Sequence, residues 1–276
     1  MYNSKTLSIV MPAYNEAESI ARVVQSYKEL PIVDQVIVID NNSVDETGAY
    51  ARRAGAQVIV ETKQGYGHAS RAALRAADTD LVIIVESDST FRALDVYKFL
   101  AYSEEFDCVF GTRTSKTCIW SGANMGAFLR YGNCAVAKLL EYLHNGPCLT
   151  DVGCTFKLFR RDALQKIEGH LTAGGSTFSP QLMYVAIRCG LRCVEIPVNY
   201  RARVGESKIT GDLKKAFFLG LRMIRMIVAA RFSAFVNVGT CVSPAVIAEL
   251  EGSSNSLNLP LAGDDLSLES GSEERP

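Results

Sequence analysis

The chain has 276 residues with 29 basic and 30 acidic side chains, a formal net charge of -1. At 48% apolar and 21% charged residues, it has the composition of one large or two small globular domains, which excludes a disordered, collagenous or multi-span membrane chain. The near-neutral total is a cancellation: residues 251–276 carry six acids and one base, whereas Arg201–Arg231 holds eight bases and two acids.

Short β-branched runs alternate with helical segments along the first half. Leu7–Met11 reads as a buried strand, with a helix over Glu16–Lys28. Gln35–Ile39 and Gln57–Val60 read as the next strands, separated by a helix over Asp45–Ala54. An alanine-rich helix, His68–Ala77, leads to a fourth strand, Leu81–Val85. A helix over Ala93–Tyr102 precedes a fifth strand, Asp107–Phe110. The rhythm then changes. Met125–Leu143 reads as a long helix, Cys154–Phe159 and Arg192–Ile196 as strands, and Pro180–Cys189 and Asp212–Arg231 as helices. Strands alternating with helices indicate a doubly wound, mostly parallel α/β sheet. Their near-continuous apolar character suits a sheet covered on both faces. Residues 1–231 are expected to form the domain, and residues 232–276 a poorly structured acidic tail, rich in serine, asparagine, glycine and acids from Gly252 onward.

Eight cysteines form no CxxC pair, and the three histidines are scattered, so neither a disulfide framework nor a zinc site is expected. No apolar run of signal-peptide length precedes Pro12. A cytoplasmic body is the expectation.

In open α/β sheets, ligands sit beyond the carboxyl ends of the strands. Five polar clusters fall there: Pro12-Ala13-Tyr14-Asn15-Glu16, Asp40-Asn41-Asn42-Ser43 and onward to Thr47, Lys63-Gln64-Gly65-Tyr66-Gly67, Glu86-Ser87-Asp88-Ser89, and Gly111-Thr112-Arg113. Any one could be a helix cap or a turn. Five in succession point to a site.

These segments, SIVMPAYNEAESI, VIVIDNNSVDET, KQGYGHASRAAL, VIIVESDSTF and VFGTR, continued by LTDVGCTFKLFRRDAL and EIPVNYRARVGESKI, resemble the family 2 inverting glycosyltransferases of GT-A fold. Closest in style are the polyprenyl-phosphate glycosyltransferases, such as dolichyl-phosphate mannose synthase. The resemblance implies that Pro12, Tyr14, Asn15 and Glu16, with the Asp40–Asn41 pair, hold a nucleotide-diphosphate sugar. The family often has two acids where Asp40-Asn41 stands. Gly65 and Gly67 would let the backbone approach the nucleotide, with Arg71 one helical turn further on. Glu86-x-Asp88 matches the acid-x-acid metal motif. Asp88 is expected to ligate Mg²⁺ or Mn²⁺ directly, with Glu86 and Ser87 beside the ribose or metal-bound water.

Hydroxyl-using relatives carry a late-helix acid as base. The corresponding Ser176–Gln181 has none, which favours an already anionic polyprenyl phosphate acceptor. Asp151 is the one nearby carboxylate, able to orient groups or to act as base toward a hydroxyl. Arg113, Lys157, Arg203 and Lys208 are the cations expected to stabilise charge in transit, the last two in a segment that resembles the family's loop over the donor. The 212–231 helix pairs an apolar stripe (Phe217, Phe218, Leu221, Ile224, Val228) with basic flanks, the pattern of an interfacial membrane helix. The expectation is therefore a peripheral enzyme at the cytosolic face of a membrane, with no nucleic-acid partner. A transferase acting on a hydroxyl of a cell-surface glycan, or an inactive nucleotide-sugar binding protein, stays open.

Overall fold

The computed structural model describes residues 1–204 and 213–232. Lys208 and the expected acidic tail lie outside the described residues.

Four strands are parallel and follow the predicted order: β1 (Leu7–Ala13), β2 (Gln35–Asp40), β3 (Gln57–Val60) and β4 (Leu81–Ile84). Helices α1 (Ile20–Lys28), α2 (Thr47–Arg53) and α3 (Tyr66–Ala76) make the crossovers. α4 (Val96–Tyr102) leads to β5 (Cys108–Thr112), and α5 (Ala127–His144) follows. Then come β6 (Lys157–Arg160), α6 (Arg161–Ile167), α7 (Phe178–Arg188), β7 (Cys193–Pro197) and α8 (Leu213–Phe232). The seven-stranded sheet has the order β3-β2-β1-β4-β6-β5-β7.

Among the described strands only β6 runs against the rest. It pairs antiparallel with β4 on one side (Ile84 opposite Lys157) and with β5 on the other (Phe110 opposite Lys157). β5 and β7 are again parallel. Alternate residues of each strand enter separate cores. Val10, Ile37, Ile84 and Phe110 face α3, α5 and α7, whereas Ile9, Val38, Ile83 and Val109 face α1 and α4. Both faces are thus buried, as the apolar strands required.

The boundaries differ from the expectation where side chains compete with the backbone. α1 starts at Ile20 rather than Glu16, because Glu16–Ser19 forms a separate turn closed by the Ser19 N–H on the Glu16 carbonyl. β6 begins at Lys157, three residues late. α6 was not expected; its buried face is only Ala163, Leu164 and Ile167. Among the described residues no helix is long and apolar enough to cross a membrane.

Candidate active site

A cleft of about 820 Å³ opens at the carboxyl ends of β1, β4 and β5 and extends between α5 and α8. Its polar end is lined by Pro12, Tyr14, Glu16, Asn41, Gly65, Glu86, Ser87, Asp88, Arg113 and Arg203. Its other walls are largely apolar, with Phe128, Leu129 and Val136 from α5 and Phe217, Leu219, Leu221, Met223 and Ile224 from α8, interrupted by Asn124, Asn133 and Ser176.

The acidic pair is built by the turn that ends β4. Val85 still bonds to the Val10 carbonyl, after which Ser87 Oγ donates to the Pro12 carbonyl and Ser19 Oγ to that of Ser87. Asp88 Oδ1 accepts from the Thr90 N–H at 3.0 Å and its hydroxyl at 2.6 Å, which fixes the carboxylate. The Glu86 carboxyl lies beside that of Asp88 in the cleft. Burial, and then the Asp88 charge, push it up to about 8. A carboxyl group whose charge is made costly by burial and by a second carboxylate beside it marks a place where a cation is favoured. Two such oxygen donors suit Mg²⁺ or Mn²⁺ provided that diphosphate or water oxygens complete the shell. Among the described residues no third acid, histidine or cysteine joins them in a metal-binding cluster.

Arg203 reaches back over this pair. Its guanidinium donates to the Glu16 carboxylate and lies 3.3 Å from Asp88 Oδ2. Arg113, just beyond β5, is the second cation. Its backbone N–H, Nε and Nη2 donate to Asp151 at 3.0, 2.8 and 3.0 Å, and its guanidinium lies over the Tyr200 ring.

This geometry removes Asp151 as a base. It is fully buried and does not line the cleft, and its oxygens are taken by Arg113 and the Gly153 N–H. Burial alone would push its carboxyl up; Arg113 more than offsets this and holds it below the ordinary carboxylate value. A carboxylate so placed orients Arg113. It is itself held by Glu195, which accepts from the Thr150 N–H and hydroxyl at 2.7 and 2.6 Å and from the Asp151 N–H at 3.0 Å. Sequence reasoning missed Glu195; the signal was an acid inside an otherwise apolar strand. Lys157 is also corrected. It is buried beneath the cleft, donating to the Cys154 carbonyl and Ser179 Oγ, and desolvation lowers it to about 8.

At the nucleotide end the structure separates wall from support. Tyr14, Glu16, Asn41 and Gly65 face the cleft. Asn15 instead stitches the loops after β1 and β2, accepting from Val44 N–H and donating its own N–H to Ser43 Oγ. Asp40 accepts from the Ser43 N–H. Arg71 donates to the Leu171 carbonyl and contacts His68, away from the cleft. Gly65 and Gly67 are needed for a different approach from the one expected: a Cβ on either would come within 2.4 or 2.2 Å of the Gly174 or Ala173 carbonyl oxygen. The departure at Asn41 also has a local reason. Its Nδ2 donates to the carbonyls of Glu61 and Lys63 while its Oδ1 accepts from the Gly65 N–H. A carboxylate accepts but cannot donate, so only the amide satisfies all three.

The comparisons with known proteins agree with this architecture. The model of glycosyl transferase family 2 matches residues 8–168. The chain is 32% identical over 209 residues to a dolichyl-phosphate hexose transferase of Haloferax volcanii, covering 75% of this chain and 88% of that one. It is equally similar, 32% over 210 residues, to an uncharacterized glycosyltransferase of Mycobacterium tuberculosis, covering 75% and 91%. Among solved structures, glucosyl-3-phosphoglycerate synthase from Mycobacterium tuberculosis, determined with Mn²⁺, UDP and glucosyl-3-phosphoglycerate, superposes with a TM-score of 0.63 at 22% identity, over 83% of this chain and 80% of that one. The chain therefore has the GT-A fold and belongs to glycosyl transferase family 2.

Proposed function

We propose that this glycosyltransferase moves a hexose, with inversion, from a nucleotide-diphosphate sugar to a polyprenyl phosphate. The observation that carries the proposal is the continuity of one cleft, in which an end lined by Asp88, Glu86, Arg113 and Arg203 passes directly into the apolar channel between α5 and α8. A charged headgroup on a hydrocarbon chain is the acceptor that fits both halves at once. The name of the Haloferax relative supports the same acceptor class.

In this reading Pro12, Tyr14, Glu16, Asn41 and Gly65 receive the nucleotide, with Asn15, Asp40, Gly67 and Arg71 shaping the loops behind them. Asp88 and Glu86, with Ser87 beside them, would hold a divalent cation, which would supply positive charge against the departing diphosphate. Arg113, positioned by Asp151, attracts the acceptor phosphate. Its oxygen attacks the anomeric carbon as the bond to the diphosphate oxygen breaks and the nucleotide leaves with that electron pair. No proton need be removed from a phosphate nucleophile, so the burial of Asp151 costs the reaction nothing. Arg203, and Lys208 in the same segment, stabilise the diphosphate charge as it develops.

Residues 1–231 are proposed as the catalytic unit and residues 232–276 as an appended tail. The exposed Phe217, Phe218 and Leu221, together with Lys214, Arg222 and Arg225, are proposed to rest α8 on an anionic membrane surface. Acceptor assays test the reading. Transfer from GDP-mannose or UDP-glucose to a short-chain polyprenyl phosphate, dependent on Mg²⁺ or Mn²⁺ and absent with free sugars, is the expected result. Transfer to a soluble hydroxyl acceptor without lipid would overturn it.

A further inference from the structure

Buried polar groups are hydrogen-bonded with few exceptions, and an exception inside a cleft calls for a partner from outside the protein. Among the described residues a small set of buried side-chain atoms has none: Tyr27 OH, Ser70 Oγ, Thr155 Oγ1, Arg201 Nε and Arg203 Nε. Of the hydroxyls in that set, Thr155 lines the cleft. The residue is 94% buried, with 6% of its surface exposed.

Its place in the sheet is informative. β6 is intercalated between β4 and β5, with Lys157 opposite both Ile84 and Phe110. The chain entering β6 stays in line, since the Gly111 N–H still donates to the Phe156 carbonyl at 2.8 Å. Continued back past Lys157, the chain runs toward the turn after β4 that bears Glu86 on one side and the Thr112–Arg113 end of β5 on the other, and Thr155, Glu86 and Arg113 line the same cleft. Neighbouring polar groups are already committed. Ser179 Oγ accepts from Lys157 and lies within 2.8 and 3.1 Å of the carbonyls of Val152 and Cys154. Arg113 is held by Asp151.

We infer that Thr155 is a specificity residue whose hydroxyl, together with the Glu86 carboxyl, holds a hydroxyl group of the transferred hexose. The inference rests on the donor proposed above and assigns the contact that the sugar, rather than the nucleotide, makes. The chemistry of the pair selects a sugar hydroxyl over a phosphate oxygen. A sugar hydroxyl both donates and accepts, so it can accept from Thr155 and donate to Glu86. A phosphate oxygen only accepts, so it could take the Thr155 hydroxyl proton but has none to offer Glu86.

The test uses the full chain and Thr155→Val, which keeps the shape and removes the hydroxyl, with Thr155→Ser as the conservative control. Binding of GDP-mannose and UDP-glucose is measured beside GDP and UDP, and kinetics are taken with the monodeoxy analogues of whichever donor is used. The expected result has four parts. Thr155→Val binds the sugar-free nucleoside diphosphate as the wild type does; it loses about 5- to 10-fold in kcat/KM for the sugar nucleotide; Thr155→Ser restores most of the loss; and one monodeoxy donor is used equally by wild type and Thr155→Val. The melting temperature of Thr155→Val should be unchanged or higher, because an unpaired buried hydroxyl is removed. An equal loss toward GDP or UDP alone, a lowered melting temperature with no discrimination among deoxy donors, or unchanged kinetics would each overturn the inference while leaving the donor class intact. Failure of the wild type to bind any nucleotide sugar would overturn the proposed function and this inference with it.

Discussion

Replacing Asp151 by asparagine leaves the Arg113 guanidinium in place, nearly buried and without its counter-charge. The wild-type pair is made of two side-chain contacts at 2.8 and 3.0 Å and one backbone contact at 3.0 Å, with Asp151 fully buried. Breaking a buried pair by removing one partner costs about 3–5 kcal/mol, because the remaining charge is uncompensated. The asparagine carbonyl still accepts one bond, so the lower figure, about 3 kcal/mol, applies. At about 2–4 °C per kcal/mol for a domain of this size, the melting temperature should fall by about 6–12 °C. The assay is thermal unfolding as a function of pH. Burial alone would raise the Asp151 carboxyl, but the Arg113 guanidinium holds it below the ordinary carboxylate value in the fold. The pair therefore contributes its full stability above that value, and the contribution disappears as pH falls through the lower, folded-state value. Wild-type and variant melting curves should differ at neutral pH and converge in acid. Replacing both partners, as Arg113→Met with Asp151→Leu, should recover stability relative to Asp151→Asn alone. A variant that melts with the wild type at pH 7 yet loses all transfer would refute this reasoning, since that is how an accessible catalytic base behaves.

Asp88→Asn should lower transfer more than about 100-fold in metal-dependent initial-rate assays while the protein melts normally, because its Oδ1 still accepts from Thr90; near-wild-type turnover would remove the metal assignment. Asn41→Asp should cost about 2–4 kcal/mol in denaturant unfolding, as two carbonyls lose donors and face a carboxylate. Glu86→Gln should stabilise the metal-free protein. The native state holds a proton on Glu86 up to about pH 8, so the cost of its charge appears as pH rises toward that value; the gain on substitution should grow from pH 5 to pH 9, and a gain that shrinks over that range would contradict the sign. Exchanging Phe217, Phe218 and Leu221 for serine should weaken sedimentation with anionic vesicles and leave unfolding unchanged, because all three side chains are exposed.

The parallel half of the fold was legible because its strands are unbroken apolar runs, and only a sheet buried on both faces uses such runs. Leu81–Val85 and Gln35–Ile39 announce themselves in this way. β6 was harder. A four-residue strand carries no mark of direction, and its insertion between β4 and β5 is settled by long-range pairing. α6 escaped notice because a seven-residue helix with three buried positions has almost no period to detect. In the site, Glu86, Asp88 and Arg113 were expected from their places after strands and Arg203 from the family resemblance, and all four line the cleft. Side chains that work from below were misjudged for a common reason. Asp151 and Lys157 carry chemistry-bearing groups in the right stretch of chain, but only packing decides whether such a group faces a ligand or a neighbour. Asn41 shows the converse, since its exchange of a carboxylate for an amide made sense only once the carbonyls of Glu61 and Lys63 were seen beside it.

The lone antiparallel strand also acts as a spacer. β4 delivers two acids and β5 a guanidinium. Had these strands been direct neighbours, the Arg113 backbone would stand one inter-strand spacing from the acidic turn. With β6 between them the strands stand two spacings apart, about 9.5 Å. That backbone spacing, filled by the entry to β6, keeps the two charged loop ends apart. The order of strands thus sets a fixed gauge between the two charged ends, and the intervening chain forms the floor of the gap.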